Sequence, residues 1–114
     1  MHDAAQPQAV YDSIRRQVVL NYNAHGGPSR LDNPNFATVS TDFGETWEAP
    51  VQVDSNWPLG AQGSAAGPGI GIQLRPSNPH APGRLLFIGH RGPYVEDFVW
   101  YTDDGGATYA VSNS

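Results

Sequence analysis

Apolar and polar residues alternate along this chain in short bursts. Each burst is stopped within a few residues by Gly, Pro, Asn or Asp, and none sustains the period of an amphipathic helix. The bursts predict two similar groups of four strands. In the first, Ala9-Val10-Tyr11 is followed by a turn over 12–16, the strand Gln17-Val18-Val19-Leu20-Asn21-Tyr22, a polar loop over 23–35, a third strand over 36–41 and a fourth over 47–53. In the second, the strands are Ile70-Gly71-Ile72-Gln73-Leu74, then Arg84-Leu85-Leu86-Phe87-Ile88-Gly89, then 97–102, and a truncated Thr108-Tyr109-Ala110-Val111. The chain divides accordingly into a disordered lead-in over 1–7, a first unit over 8–54, a connection over 55–67 and a second unit over 68–114. The predicted class is all-β.

Between the third and fourth strands of each unit the same eight-residue pattern recurs, hydroxyl-x-Asp-x-Gly-x-Thr-aromatic. It reads Ser40-Thr41-Asp42-Phe43-Gly44-Glu45-Thr46-Trp47 in the first unit and Thr102-Asp103-Asp104-Gly105-Gly106-Ala107-Thr108-Tyr109 in the second. An Asp in a tight reversal accepts backbone N–H groups a few residues on, and Gly44 and Gly106 supply positive φ. Asp42 and Asp104 therefore read first as turn formers rather than as catalytic acids or metal ligands. Thr46 and Thr108 open the return strand, and the rings of Trp47 and Tyr109 are placed to pack on a neighbouring hairpin. The two Asp residues lie 62 positions apart. That is longer than the roughly 40–50 residues of common propeller repeats, but compatible with a four-stranded propeller blade carrying long loops. Two blades do not close a propeller, so flanks such as Leu85-Leu86-Phe87-Ile88 call for neighbouring blades in a longer chain or in a second copy.

Composition narrows the partners. A formal charge of −5 on 114 residues argues against nucleic acid or an anionic membrane surface. All six basic residues are Arg, and the absence of Cys removes disulfides and thiolate zinc sites. The four residues His2, His25, His80 and His90 show no metal-ligand spacing, and no cofactor motif is present. No run approaches the ~18 apolar residues of a membrane span. The start, Met1-His2-Asp3-Ala4-Ala5-Gln6-Pro7, lacks the apolar core of a signal peptide.

The string Ser-x-Asp-x-Gly-x-Thr-Trp resembles the Asp-box, or BNR repeat, of the sialidase (neuraminidase) family. Gly67-Pro68-Gly69-Ile70-Gly71-Ile72-Gln73-Leu74 resembles the stretch found between consecutive Asp-boxes in that family, and Val10-Tyr11-Asp12 through Val19-Leu20-Asn21-Tyr22 resembles the strand pair ahead of the box. The likeness runs over about residues 8–111. The Gly-Pro-Gly run is not a nucleotide loop, because a strand and not a helix follows it. The resemblance implies a six-bladed β-propeller in the whole protein and hydrolysis of terminal, α-linked sialic acid on glycoconjugates. Family chemistry uses a Tyr nucleophile paired with a Glu, an Asp acid/base and three Arg residues that grip the sugar carboxylate. A neutral nucleophile avoids repulsion by the anionic substrate, and guanidinium forks match a carboxylate bidentately. By that resemblance all these groups come from other parts of the propeller, so the catalytic set is expected to be absent here and the segment alone inactive. Where some members place a Glu before the Gly-Pro-Gly stretch, this chain has Gly60-Ala61-Gln62-Gly63-Ser64.

Strand parity sorts the loops to two edges, and the resemblance then implies which of them faces substrate. In an antiparallel four-stranded unit the first and third turns share one edge, while the second loop and the unit-to-unit connection share the other. The Asp-boxes mark the first edge together with Arg15, Arg16, Arg75 and Arg84, and sialidase pockets lie on the opposite one. The candidates for substrate contact are then Arg30, His90, Arg91, Gln62 and Trp57. Three of them have a plainer reading: Arg91 as an ion pair with Glu96 or Asp97, His90 as a capping or packing residue, Trp57 as a wedge between units. Two rival functions remain. One is a non-catalytic Asp-box propeller that binds glycans or proteins; the other is a propeller hydrolase acting on other sugars.

Overall fold

Asp12 folds the first hairpin. Its Oδ1 accepts the backbone N–H groups of Ile14 and Arg15 at 3.1 and 3.2 Å, and Arg16 completes the reversal at a φ of 55°. This joins β1 (Asp3–Asp12) to β2 (Gln17–His25). The computed structural model describes residues 3–25, 34–54, 57, 65–66, 69–91 and 96–111. The remaining strands are β3 (Asn35–Ser40), β4 (Val51–Gln52), β5 (Ala65–Ala66), β6 (Gly69–Ile70), β7 (Ile72–Gln73), β8 (Leu85–Arg91), β9 (Glu96–Thr102) and β10 (Ala110–Val111). They form two sheets. The first has the order β4-β3-β2-β1-β6, and the second has β10-β9-β8-β5 with β7 also paired to β8. All pairings are antiparallel except β1 with β6. Among the described residues there is no helix, hence none long and apolar enough to cross a membrane.

The all-β class and the eight expected strands are present, β5 is added within the connection expected over 55–67, and three further differences stand out. First, β1 begins at Asp3 and pairs Asp3, Ala4 and Ala5 with His25, Ala24 and Asn23. Residues 3–7 of the lead-in expected over 1–7 are thus strand, and residues 1 and 2 lie outside the described residues. Second, β4 and β10 shrink to two residues each. In the first sheet Thr38 Oγ1 donates to the Glu48 carbonyl at 2.6 Å, and Pro50 has no N–H to give, so regular pairing resumes only at Val51. Third, the strand expected over 70–74 is divided between the sheets. Gly69 and Ile70 run parallel to β1, whereas Ile72 and Gln73 pair with β8. Gly71 stands at the crossing and donates its N–H to the Ala9 carbonyl at 2.7 Å. A Cβ there would lie 2.8 Å from the Leu86 carbonyl oxygen, so the crossing requires glycine.

The core lies between the sheets. Val10, Val19 and Ala37 of the first meet Leu85, Phe87, Phe98 and Trp100 of the second, with Val53 and Trp57 closing one end. A polar bond crosses this core: Trp100 Nε1 donates to Asn21 Oδ1 at 3.0 Å, and Asn21 Nδ2 donates to Tyr109 Oη at 3.3 Å. Strand alternation splits the expected apolar flank, burying Leu85 and Phe87 and leaving Ile88 52% exposed.

Candidate functional site

The two eight-residue repeats, or boxes, over 40–47 and 102–109 close matching turns, from β3 to β4 and from β9 to β10. In the first, Ser40 Oγ donates to Asp42 Oδ1 and accepts the Gly44 N–H, both at 2.8 Å. Asp42 accepts the Thr46 N–H on Oδ1 at 2.8 Å and the Thr46 hydroxyl on Oδ2 at 2.5 Å. The second box repeats these bonds, from Thr102 to Asp104 at 2.7 Å, from Gly106 to Thr102 at 2.9 Å, and from Thr108 to Asp104 at 2.9 and 2.5 Å. Both turns need two consecutive left-handed residues, Phe43 and Gly44 in one and Gly105 and Gly106 in the other. Phe43 adopts this conformation while its ring stacks on Tyr11, with centroids 6.1 Å apart.

These bonds decide what the boxes can do chemically. Thr46, through its hydroxyl and then its N–H, and Ser40 hold the Asp42 carboxyl down at about 2. Partial burial pushes Asp104 up, but the hydrogen bonds from Thr108, Thr102 and Ala107 outweigh it and leave the carboxyl below its usual range. A carboxylate with both oxygens engaged and its proton affinity lowered is poorly suited to be a general acid. Asp42 and Asp104 are turn formers, and Thr46 and Thr108 serve the same turns. Trp47 remains 42% exposed, whereas the Tyr109 ring packs against Phe87. Burial raises the Tyr109 phenol, which stays protonated.

The box edge also uses the Arg residues that parity places there. Arg84 forks onto Asp103 with two bonds of 2.9 Å and lies over the Tyr101 ring, 4.0 Å from its centroid. The pairing raises Arg84 and lowers Asp103. Arg15 Nη1 pairs with Asp12 Oδ2, and its Nη2 donates to the Asp103 carbonyl, each at 3.1 Å. Gln17 Nε2 donates to the Gly105 carbonyl at 2.9 Å, and Gln73 Nε2 donates to Asp12 Oδ1 at 3.0 Å. Both boxes therefore sit on one edge of the two sheets, clasped across the join.

At the opposite edge a buried amide and carboxylate cluster fixes the roots of the loops. Asp54 Oδ2 accepts both the backbone N–H and the Nδ2 of Asn35 at 3.1 Å, and Asp54 Oδ1 accepts Gln52 Nε2 at 3.1 Å. Asn23 Nδ2 donates to Asn35 Oδ1 at 3.1 Å, which adds the end of β2. Asn23, Asn35 and Asp54 are at most 2% exposed. The sequence reading missed Asn23 and Asn35 by assigning 23–35 to a polar loop, and it missed Asp54, which directly follows the fourth strand expected over 47–53. The available signal was the alternation of Val19, Asn21 and Asn23, which carries the buried face of β2 past its last apolar residue.

Of the candidates for substrate contact, Arg30 and Gln62 lie outside the described residues. His90 and Arg91 end β8, in register with Asp97 and Glu96 of β9, and their side chains also lie outside the described residues. Trp57 is 5% exposed, and its ring packs on Trp100 with centroids 5.1 Å apart. This is the geometry of a wedge, and it offers no open ring face to a sugar.

No family model matches the chain, and no curated protein matches it. Among solved structures it is similar to the crystal structure of a protein of unknown function from Dyadobacter fermentans DSM 18053, with a TM-score of 0.63 and 16% identity. The match covers 96% of this chain and 35% of that one, so the chain spans about a third of that structure's length. The likeness is one of fold.

Proposed function

We propose that the chain forms two blades of a sialidase-type propeller, and that the complete protein is an exo-α-sialidase releasing terminal sialic acid from glycoconjugates with retention. The observation that carries this reading is the pair of Asp-box turns. Two strings 62 residues apart close corresponding hairpins with the same bonds, on one edge of two adjacent sheets. The resemblance of residues 67–74 to the family's inter-box stretch supports it, as does a fold similar to part of a longer structure.

In this reading the segment supplies scaffold and rim rather than chemistry. The boxes hold the outer hairpins, and the Asn23, Asn35 and Asp54 cluster anchors the loops that carry Arg30 and Gln62 on the substrate side. Arg91 and His90 belong to that same side. The Tyr nucleophile, its Glu, the Asp acid/base and the three carboxylate-binding Arg residues come from chain outside these 114 residues.

The test compares release of a fluorophore from a sialic-acid glycoside by the 114-residue chain and by a form extended with flanking coding sequence. Activity in the extended form alone supports the reading. Activity of the short form contradicts the absence of the catalytic set, and no activity in either favours a glycan- or protein-binding propeller.

A further inference from the structure

Asp104-Gly105 is the single Asp-Gly pair in the sequence. In such a pair the glycine nitrogen can attack the aspartate Cγ, because no side chain on the second residue crowds the approach. A C–N bond forms, a Cγ–O bond breaks, and the carboxyl OH leaves with the amide hydrogen as water. Water then adds to either carbonyl of the resulting succinimide, which restores aspartate or gives isoaspartate. Closure needs the protonated carboxyl, since a carboxylate is a poor electrophile, and it needs no reactant other than water.

The second box both imposes this pair and restrains it. Asp is imposed by the turn, which uses its carboxylate as acceptor. Gly is imposed by the seam between the sheets: at a φ of 75°, a Cβ on residue 105 would lie 2.5 Å from Arg15 Cδ and 2.8 Å from its Nε. Arg15 has little room to give, since Asp12 and the Asp103 carbonyl hold its guanidinium. The first box has Phe43 at the matching position, where a side chain crowds the attack. In the second, Thr102 Oγ1 accepts the N–H groups of Asp104 and Gly106 at 3.4 and 2.9 Å, and the Gly105 nitrogen between them takes no part in that bond. The restraint acts on the carboxyl instead. Its Oδ1 accepts from the Thr102 hydroxyl and from the Ala107 and Thr108 N–H groups, and its Oδ2 from the Thr108 hydroxyl. Partial burial pushes the carboxyl up, but these bonds keep it below its usual range. A closed box therefore denies both conditions for closure of the ring, a protonated acid and a Cγ free to turn toward residue 105.

We propose that Asp104-Gly105 is a latent isomerisation site, held inert by the closed second box and released when the box opens. Isoaspartate lengthens the main chain by one carbon and shortens the side chain by one, so the acceptor of Thr108 is lost and the turn does not re-form. The Gly105 carbonyl then leaves Gln17, and the Asp103 carbonyl leaves Arg15, which are the bonds that join this box to the first hairpin. The inference rests on the bonds of the turn and not on the sialidase reading, so either can fail alone.

The test ages the protein extended with its flanking coding sequence in water enriched in oxygen-18 at mildly acidic pH, both folded and in concentrated urea. Mass spectrometry of the peptides carrying Asp42 and Asp104 reads the result, since passage through the succinimide adds labelled oxygen. Label at Asp104 is expected about 10- to 100-fold more slowly in the folded protein than in urea, the factor supplied by hydrogen bonds to a charged group. In urea, Asp42 takes up label more slowly than Asp104. Thr108→Val should raise the folded rate at Asp104 by about tenfold, whereas Thr108→Ser keeps the hydroxyl and the slow rate. Absence of label at Asp104 in urea, or equal rates folded and unfolded, overturns the proposal. So does an unchanged or slower rate in Thr108→Val, which would mean that the hydroxyl does not restrain the carboxyl. Should Thr108→Val lose its β-type circular dichroism, the comparison of folded protein with urea decides alone.

Discussion

The side chain of Gln8 binds both backbone groups of Ile88: Nε2 donates to the carbonyl at 3.0 Å, and Oε1 accepts the N–H at 3.0 Å. These groups fall where β8 lacks a neighbouring strand, between its pairings with β5 and with β7. A buried amide on β1 therefore substitutes for a strand and ties the two sheets together. Gln8→Ala leaves both groups unsatisfied, and the expected loss is about 2–4 kcal/mol in urea unfolding. A loss within about 0.5 kcal/mol would mean that water replaces the amide there.

The second box should be sensitive to the number of acceptors its carboxylate provides. Asp104→Ala removes the acceptor of the Ala107 and Thr108 N–H groups and is expected to cost about 1–3 kcal/mol. Asp104→Asn keeps one carbonyl oxygen and should cost less. Equal losses for the two would show that charge rather than acceptor geometry holds the turn.

The same carboxylates set an acid limit. Both are depressed in the folded chain, so their contribution is fully present above the unfolded value of 3.8 and is lost as pH falls through the folded value. For Asp42 that window runs from 3.8 down to about 2. Thermal melting followed across it should show a steep loss of stability that flattens in Asp42→Asn. An unchanged slope in that variant would remove Asp42 as a source of the acid sensitivity.

The boxes, β2, β8 and β9 were legible because their signals are local: a motif fixes each turn, and period-two apolar runs fix each strand. Other features depend on partners distant in sequence. The division of 69–73 between two sheets follows from Gly71 meeting Ala9 and Leu86, which no local pattern announces. Asp54 and Asn35 look like turn residues until burial and mutual bonding are seen. Gln8 was given no role, just ahead of the strand expected at Ala9-Val10-Tyr11, because its partner lies 80 positions away.

The sheet crossing admits a sharp test. Gly71→Ala places a methyl group 2.8 Å from the Leu86 carbonyl and 3.2 Å from the Phe87 ring. Backbone must shift to relieve it, and the expected destabilisation is about 1–3 kcal/mol in chemical unfolding. A neutral substitution would contradict the close approach of β7 to β8.

The central claim is that these two box-bearing sheets belong to a retaining sialidase. Proton NMR of the product first released from an α-sialoside by the protein extended with its flanking coding sequence tests it most directly. The account predicts α-sialic acid first, with the β anomer growing in by mutarotation. Release of the β anomer first would contradict the retaining mechanism, and no release would contradict the sialidase assignment itself.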